Sequence, residues 1–444
     1  MELIQGISGV RGIVGKSLTN KILSNHVKAF SMIQTEGTIL LGRDSRIHGH
    51  ELLNIASEAI LKCGRNIKNY NIIPTPTAQF LVEKNKFAGG IVITASHNPE
   101  EWNGLKFIDK DGCFLSKEKN ETLFEIAKKN IIDTKTRGKS TSINKGYLPH
   151  INHTLNLSMI NLELIKHKRF TVVIDAVNGA ASEALPEMLK ALGCKVHRLY
   201  CNPNGQFPRG AEPLPNNLKN LKKMVIEKKA DVGFATDPDG DRLAVIDEKG
   251  NPLGEEYTLV FCVDGFLKTS KSNKEIVTNL STTLAVDKIA KKYGNNVIRT
   301  AVGEINVVNK MKEEKSILGG EGNGGIILAE SHLGRDSLVA VTLFLNRMAQ
   351  SNTTVSSIFN SMPQFYMAKD KIKLNDINAE EVINKIKNHF SKVEQNEQDG
   401  LKLIWENSWI HIRKSNTEPI IRIYSEAPTK FEAIKLTDKI KSLI

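Results

Sequence analysis

The stretch IVITASHNPEEWNGLKF, Ile91–Phe107, decides how the fold of the whole chain is interpreted. It begins with an apolar run that predicts a buried strand, and at Thr94 this run changes into a single turn crowded with polar side chains. Because loops that follow strands often carry chemistry, we predict that Ser96 is a nucleophile and phosphate carrier. Its expected neighbours are His97, Asn98 and Lys106. A plain strand-to-loop turn is the alternative interpretation.

Length and composition limit the classes of protein to consider. A chain of 444 residues is too long for one hydrophobic core, and typical domain sizes predict roughly three or four units. Hydrophobic content of 40% and charged content of 25% are those of a globular protein. The net charge of +12 is spread along the chain without basic blocks that contain aromatic residues. We therefore expect an anionic small substrate and no nucleic-acid partner.

Cysteine use and hydropathy predict the compartment. The five cysteines form no CxxC pair, and their odd number argues against a disulfide framework. No apolar segment of about 18 residues occurs, and the first residues show no signal-peptide pattern. We expect a cytoplasmic protein with no membrane partner.

Two segments with the order strand, loop, helix predict α/β units. A strand over Thr38–Leu41 leads into the polar loop Gly42–Arg46 and then into a helix near Glu51–Lys62. The strand Phe170–Asp175 is followed by the same order of loop and helix. Such alternation is typical of α/β domains. Between these segments, residues 116–147 are rich in polar side chains, which predicts a solvated helix, a linker and a domain boundary near residue 148.

Periodicity also predicts several shorter elements. Pro74–Thr77 is expected to be a rigid turn before a short helix, and Leu214–Lys229 has helical spacing. Further along, Glu275–Asn279 is typical of a strand and Leu284–Tyr293 of a helix. The last part of the chain is expected to form a smaller α+β domain.

An acidic loop follows the predicted strand Val232–Ala235. Its three carboxylates belong to Asp237, Asp239 and Asp241. Acids at alternate positions in a tight turn can point at one hard cation such as Mg²⁺. An EF-hand calcium loop is the less suitable interpretation, because the later bidentate glutamate is missing and a strand precedes the loop. A hairpin turn with solvated acids is the other alternative, although three like charges so close repel one another.

Three further loops have the composition of anion or sugar sites. Arg11 lies between glycines, so guanidinium and backbone can approach an anion together; a glycine turn with a solvated arginine is the alternative. Glu321 and Asn323 lie in the glycine-rich segment Leu318–Gly325, where a simple hairpin is the alternative. Arg413–Pro419 combines an arginine, hydroxyls and an amide as in a phosphate-binding loop, or else it is a surface charge cluster.

Taken in order, these loops make the chain resemble the α-D-phosphohexomutases over essentially its whole length. Thr94–Pro99 is similar to the family's phosphoserine loop, Asp237–Arg242 to its metal loop and Arg413–Pro419 to its phosphate-binding loop. The resemblance implies three α/β domains with mixed sheets and a smaller α+β C-terminal domain around a central cleft. The implied domains are residues 1–148, 149–247, 248–362 and 363–444.

The resemblance also implies a mechanism and its residues. Ser96 would carry a phosphoryl group, and Mg²⁺ would be held by that group. The other implied metal ligands are Asp237, Asp239 and Asp241. Lys106 and Arg11 would manage protons and charge, and His97 would orient the loop. The implied substrate-binding residues are Arg242, Glu321, Asn323, Arg413, Ser415, Asn416, Thr417 and Arg422. A sugar 1,6-bisphosphate would act as intermediate and activator.

Departures from the family pattern bear on the substrate. Gly322–Gly325 stands where many bacterial members have Ser-Gly-His, and Val302–Glu304 stands where dual-specificity members have a histidine. A glutamate there favours a substrate with an amine, so we expect conversion of glucosamine 6-phosphate to glucosamine 1-phosphate. Mannose and glucose phosphates are the alternative, and a non-catalytic sugar-phosphate-binding protein is a more distant one. A monomer or homodimer is expected.

Overall fold

The apolar run before Thr94 forms a fully buried strand inside a seven-stranded mixed sheet. The computed structural model of the protein describes residues 3–129, 131, 133–134, 136–270, 274–374, 378–414 and 420–443. The strands of the first sheet are β1 (Ile4–Gly6), β2 (Gly9–Ile13), β3 (Ile39–Arg43), β4 (Ile67–Ile72), β5 (Gly89–Ile93), β6 (Trp102–Asp109) and β7 (Ser140–Ser142). Their order is β1-β2-β6-β5-β3-β4-β7.

Four helices belong to the described part of this first unit. They are α1 (Asn20–Ile33), α2 (Gly49–Lys62), α3 (Thr75–Lys84) and α4 (Lys117–Ala127). The side chains of Thr19 and Ser116 accept hydrogen bonds from the first turns of α1 and α4, which satisfies backbone donors that have no partner within a helix. Because β3 and β5 run parallel, the loops after both strands lie at the same edge of the sheet. The loop that begins at Asp44 therefore lies next to the serine loop, and Gly42 and Arg43 of the predicted loop Gly42–Arg46 belong to β3.

The second and third units each contain a four-stranded mixed sheet. The second has order β11-β10-β8-β9 and the third has order β13-β12-β14-β15. Their elements are α5 (Leu148–Leu155), α6 (Leu162–Lys168), β8 (Thr171–Asp175), α7 (Ala184–Ala191), β9 (Lys195–Leu199), α8 (Lys219–Glu227), β10 (Val232–Thr236), β11 (Leu243–Asp247), α9 (Glu255–Thr269), β12 (Ile276–Asn279), α10 (Leu284–Lys292), β13 (Val297–Thr300), α11 (Glu304–Glu314), β14 (Leu318–Glu321), β15 (Gly325–Leu328), α12 (Ser337–Ala349) and α13 (Val355–Asn360).

In the residues that the structure describes, the C-terminal unit is a five-stranded antiparallel sheet with two helices. Its elements are β16 (Tyr366–Lys373), α14 (Ala379–His389), β17 (Glu394–Asn396), β18 (Leu401–Trp405), β19 (Ser408–Lys414), β20 (Ile420–Ala427) and α15 (Lys430–Lys441). The order is β16-β20-β19-β18-β17. The four sheets confirm the predicted fold class, whereas the domain boundaries drawn from the sequence stay a prediction. In the ranges that the structure describes, no helix has both the length and the apolar character that crossing a membrane requires.

Helix α12 lies in a hydrophobic core that the second and third units share. All of its residues are buried. Phe344 stacks on Phe261 with ring centroids 4.5 Å apart and meets Phe234 of β10 edge-on at 5.6 Å. These two arrangements are the ones that aromatic pairs prefer. The second and third units therefore pack as one body, which fixes the acidic loop relative to the glycine-rich hairpin.

Three local expectations differ from the structure. Helix α3 begins at Thr75, inside the predicted turn Pro74–Thr77, because proline suits the first turn of a helix. Only part of Leu214–Lys229 is α-helical, since a 3₁₀ turn over Pro215–Asn217 precedes α8. The supposed linker contains β7, whose residues are all exposed. An exposed edge strand lacks the apolar alternation by which strands are recognised.

Phe344→Ala tests the shared core. Removal of a buried aromatic ring is expected to lower the free energy of unfolding by about 3–5 kcal/mol, because contacts with both neighbouring rings are lost and a cavity remains. Urea unfolding followed by circular dichroism measures this change. The control is Phe431→Ala, since this side chain is 74% exposed and its loss should change stability by less than about 0.5 kcal/mol. Equal effects of the two substitutions would contradict the shared core.

Candidate active site

Ser96 lies at the end of β5 in a strained and buried position. Its φ angle is 49°, in the left-handed region that residues other than glycine seldom adopt. The backbone N–H of Ser96 donates to Oγ1 of Thr94 at 2.9 Å. The Ser96 hydroxyl donates to Oδ2 of Asp237 at 3.0 Å. The backbone strain thus directs the serine hydroxyl at the acidic loop.

The guanidinium of Arg46 holds the serine loop from beneath. It is 1% exposed and donates to four main-chain carbonyls of the loop. These belong to Ser96 at 2.6 Å, Asn98 at 2.7 Å, Trp102 at 2.9 Å, and Pro99. Arg46 also forms an ion pair with Asp44 at 3.0 Å, and Asp44 accepts from the Thr94 hydroxyl at 2.6 Å. Because these groups are buried and paired, they define one shape for the loop.

The acidic loop is the turn of the hairpin β10–β11, and its acids are buried. Asp237, Asp239 and Asp241 are each at most 1% exposed. Gly240 has a φ angle of 72°, a conformation that favours glycine and that turns the chain between the last two acids. The alternative interpretation, a hairpin with solvated acids, is therefore correct for the hairpin and wrong for the acids, which are not solvated.

Two cations from other units balance these carboxylates. Lys106 of β6 donates to Oδ2 of Asp239 at 2.6 Å and to Oδ2 of Asp241 at 3.0 Å. Arg335 donates to the same oxygen of Asp241 at 2.8 Å. Burial, and next the charges of Asp241 and Asp239, raise the pKa of Asp237 well above its usual value. For Asp241, burial acts in the same upward direction, but the charges of Arg335 and Lys106 outweigh it and lower the pKa.

The three acids fit a hard divalent cation. One ligand atom from each lies within 4.8 Å of the others. In the described part of the chain, the buried Oδ1 atoms of Asp239 and Asp241 accept no hydrogen bond. Unsatisfied buried oxygens of ionised carboxylates are costly, and Mg²⁺ prefers oxygen ligands of this kind. The donor set therefore suits Mg²⁺.

His97 lies beside the serine hydroxyl, and Arg242 and Arg11 contact other side chains of the same loop. Nδ1 of His97 lies 3.4 Å from Oγ of Ser96 and accepts from Arg242 at 3.1 Å. The positive charge of Arg242, together with burial, holds the pKa of His97 well below its usual value, so the imidazole is neutral near pH 7. Arg11 of β2 donates to Oδ1 of Asn98 at 2.9 Å, so it is not the freely solvated arginine of the alternative interpretation.

Arg335 connects the acidic loop to the glycine-rich hairpin β14–β15. Beyond Asp241, its guanidinium donates to Oε2 of Glu304 at 3.0 Å and to Oε2 of Glu321 at 2.7 Å. Gly325 makes room for it, because a Cβ there would lie 2.2 Å from Cδ of Arg335. Asn323 donates to Glu321 at 3.5 Å. Glu321 and Asn323 therefore belong to one network with the acids.

Two of the predicted phosphate-binding residues lie on strands of the C-terminal sheet. Arg413 of β19 lies directly opposite Arg422 of β20 in the sheet. Arg422 in turn lies opposite Lys371 of β16. Like charges directly opposite one another in a sheet are unfavourable unless an anion lies among them. Ser415, Asn416 and Thr417 fall outside the described residues. Asp399 accepts from the backbone of Val302 at 3.0 Å, so this sheet borders the third unit next to Glu304.

Family models cover almost the whole chain. Models of the phosphoglucomutase/phosphomannomutase α/β/α domains I, II and III match residues 2–132, 145–250 and 254–366, and the C-terminal domain model matches residues 371–442. The chain belongs to the phosphoglucomutase/phosphomannomutase family. The predicted resemblance to the phosphohexomutases is thereby confirmed, and the protein is an enzyme of the isomerase class that moves phosphoryl groups within its substrate.

Named relatives of this family match end to end. A phosphoglucosamine/phosphogalactosamine mutase from Sulfurisphaera tokodaii is 33% identical and the match covers 100% of this chain and 99% of the relative. A phosphoglucomutase/phosphomannomutase from Thermococcus kodakarensis is 34% identical over 98% of this chain and 96% of the relative. The crystal structure of a family protein from Burkholderia thailandensis has a TM-score of 0.86 at 22% identity, covering 99% and 96% of the two chains.

The sequence does not predict a role for Arg46 or Arg335, although each holds several groups of this site in place. Each is an arginine next to or near an aspartate in a loop that also contains glycine, in the segments Gly42–Arg46 and Gly334–Asp336. That pattern is a weak signal, because such loops are common at surfaces. Burial distinguishes them, and burial of a loop arginine depends on units that are distant in the sequence.

Arg335→Gln tests whether the site depends on this bridge. Its loss leaves three buried carboxylates without a common cation, so the free energy of unfolding should fall by about 3–5 kcal/mol. Arg335→Lys retains the charge but not the three-way geometry, and it should lose less. Urea unfolding of both variants measures the difference. If the glutamine variant were as stable as the wild type, the bridge would not be needed to hold the acids.

Proposed function

We propose that the enzyme interconverts 6-phospho and 1-phospho sugars through a phosphoserine at Ser96 and a sugar 1,6-bisphosphate. Glucosamine 6-phosphate, which would give glucosamine 1-phosphate, is the substrate we propose. The observation that carries the proposal is the contact at 3.0 Å between Oγ of Ser96 and Oδ2 of Asp237, inside a buried group of three acids. A serine that only stabilises a turn needs no such neighbours.

The residues that would hold Mg²⁺ are the three acids and a phosphoryl oxygen on Ser96. The acids are Asp237, Asp239 and Asp241. The unsatisfied oxygens of Asp239 and Asp241 support this assignment. When bound, the ion neutralises negative charge on the transferring phosphoryl group. A structure of Aspergillus fumigatus N-acetylphosphoglucosamine mutase, whose fold this chain shares at a TM-score of 0.60 and 14% identity, was solved with GlcNAc-6P and magnesium.

Lys106 is proposed to stabilise charge and to donate a proton during the transfer. Burial lowers its pKa, but the carboxylates of Asp239 and Asp241 outweigh burial and raise it. The side chain is therefore an ammonium with short bonds to the acids, ready to donate to a departing serine oxygen. Arg11 supplies a second positive charge. Neutral His97 is too weakly basic to be the main base, and its contacts with Ser96 and Arg242 support an orienting role.

The proposed reaction consists of two phosphoryl transfers. In the first, the bond between phosphorus and Oγ of Ser96 breaks, phosphorus bonds to a sugar hydroxyl, and the proton of that hydroxyl replaces phosphorus on the serine. The bisphosphate then turns and returns its other phosphoryl group to Ser96. During each transfer the non-reacting phosphate would lie against Arg413 and Arg422, together with the loop Ser415–Thr417. Arg242, Glu321 and Asn323 would contact the sugar.

The preference for an amino sugar rests on the relatives more than on Glu304. The carboxylate of Glu304 is bonded to Arg335 at 3.0 Å and to Gln79 at 3.3 Å, so a substrate amine would have to compete with both. The relative from Sulfurisphaera tokodaii is named for glucosamine and galactosamine phosphates, which favours this substrate class. The relative from Thermococcus kodakarensis is named for glucose and mannose phosphates, which keeps those sugars as the second candidate.

Ser96→Ala tests the phosphoserine. Intact-mass spectrometry of the wild type is expected to show a fraction carrying one phosphoryl group, absent from the variant, and kcat should fall by at least about a thousandfold because the carrier is gone. Ser391→Ala, an exposed serine outside the site, is the matched control and should keep both phosphate and activity. A fully active alanine variant would overturn the mechanism. Retained sugar-phosphate binding without turnover in the wild type would favour the binding-protein alternative.

Parallel assays test the substrate. With Mg²⁺ and a trace of bisphosphate, kcat/KM should be highest for glucosamine 6-phosphate when compared with mannose and glucose 6-phosphates. We expect a ratio of about tenfold or more, which is roughly 1.4 kcal/mol of difference in transition-state binding. A higher kcat/KM for mannose or glucose phosphate would replace the proposed substrate and leave the phosphoserine mechanism intact.

A further inference from the structure

A second cluster of metal-ligating side chains lies outside the candidate active site. His150 belongs to α5, His332 follows β15, and Asp336 precedes the first residue of α12. All three are at most 2% exposed. Two imidazoles and a carboxylate meet here from segments that are up to 186 residues apart in the sequence. The proposed reaction uses none of them.

The geometry of the cluster is unusual for a simple hydrogen-bonded group. Nε2 of His150 lies 2.9 Å from Oδ2 of Asp336, and Nε2 of His332 lies 3.1 Å from the same oxygen. Despite the short distance, Nε2 of His150 makes no hydrogen bond of acceptable geometry with any residue that the structure describes. Its ring is therefore not aimed at the carboxylate oxygen. Nε2 of His332, in contrast, does form a hydrogen bond with that oxygen. Among the three ligand atoms, Nε2 of His150 is thus the one that the described residues leave without a hydrogen bond, and an ion between the three atoms would satisfy it.

Two of the remaining polar atoms of the cluster have partners of the kind that metal ligands have, whereas Nδ1 of His332 has none among the described residues. Nδ1 of His150 lies 3.0 Å from the hydroxyl of Thr77, and metal-bound histidines usually engage their second ring nitrogen in this way. Oδ1 of Asp336 accepts from the backbone of Leu338 at 2.8 Å and thereby caps α12. The cap fixes the carboxylate and leaves Oδ2 directed towards the two rings.

We propose that Nε2 of His150, Nε2 of His332 and Oδ2 of Asp336 bind a divalent transition-metal ion, with Zn²⁺ the best match. Two imidazoles and one carboxylate form a donor set that suits Zn²⁺, whereas Mg²⁺ prefers oxygen ligands alone. With three protein ligands, the ion retains a fourth position for water. The site is distinct from the acidic cluster, which contains oxygen donors alone.

The ion would link α5 to the segment that contains His332 and Asp336, and the Thr77 hydroxyl of α3 contacts one of the ligands, His150. His150 comes from α5, Thr77 behind it from α3 of the first unit, and Asp336 from the start of α12. The next residue, Ser337, donates to the carbonyl of Gly240 in the acidic loop at 2.6 Å. A metal here would therefore stabilise the base of the acidic loop and take no part in the transfer itself.

A cavity lies next to the cluster. The cavity has a volume of about 290 Å³ and is bordered by Phe80, Glu83, His153 and Ser331, among others. Phe80 borders the cavity and stacks on His150 with ring centroids 4.7 Å apart. The carboxylate of Glu83 also lines the cavity, where it can attract a cation.

Zinc binding by the full-length protein tests the proposal. The protein is stripped with a chelator, dialysed against limiting Zn²⁺ in excess Mg²⁺, and analysed for metal by mass spectrometry. We expect about one zinc ion per chain in the wild type and a rise in the thermal midpoint when zinc is added. Co²⁺ in place of Zn²⁺ should give the intense visible bands of a tetrahedral site with nitrogen ligands.

Variants separate this site from other sources of zinc binding. His332→Gln and His150→Gln should each lose the zinc, whereas His153→Gln, on the same helix but outside the cluster, should retain it. Asp237→Asn combined with Asp239→Asn should also retain it, because the acidic cluster is a different site. Absence of zinc from the folded wild type, or equal zinc content in His332→Gln, would show that the three side chains form a hydrogen-bonded network without a metal.

Discussion

The rest of the structure depends on how three buried carboxylates are kept together. At an effective dielectric constant of about 20, two charges about 4 Å apart repel by about 4 kcal/mol, which is a large fraction of the stability of a domain. Asp239 and Asp241 remain ionised because Lys106 and Arg335 lie against them. Burial raises the pKa of Asp237, which forms no such ion pair with any described residue. In the candidate active site, charged groups from different units thus neutralise one another.

This neutralisation of charge depends on the packing of the units. Lys106 comes from the first sheet, the acids from the second and Arg335 from the third, so the acids are paired only when three units have packed together. Arginine has the same bridging function in the serine loop, where Arg46 joins four carbonyls. A planar guanidinium has five donors in a fixed plane and can serve several acceptors at once, which an ammonium does less well. Both loops are therefore shaped before any ligand arrives.

Much of the fold could be predicted from local sequence. The helix expected over Leu284–Tyr293 is α10, Leu284–Lys292, and the apolar run before Thr94 is β5, because buried elements carry a strong periodic or continuous apolar signal. Expectations were wrong where that signal is missing. The exposed strand β7 was assigned to a linker, and Pro74–Thr77 was assigned to a turn although α3 begins within it.

The sequence by itself determined the family, the order of the functional loops and the chemical types within them, since each loop is a short local motif. Tertiary structure alone decided which charges meet. Arg335 lies 94 residues from Asp241, and Ser96 lies 141 residues from Asp237, so no local pattern relates them. It also decided that Glu304 is bonded to Arg335 and that the acids are buried. Burial and ion pairing are properties of the packed units, because they depend on surfaces that meet only after the chain has folded.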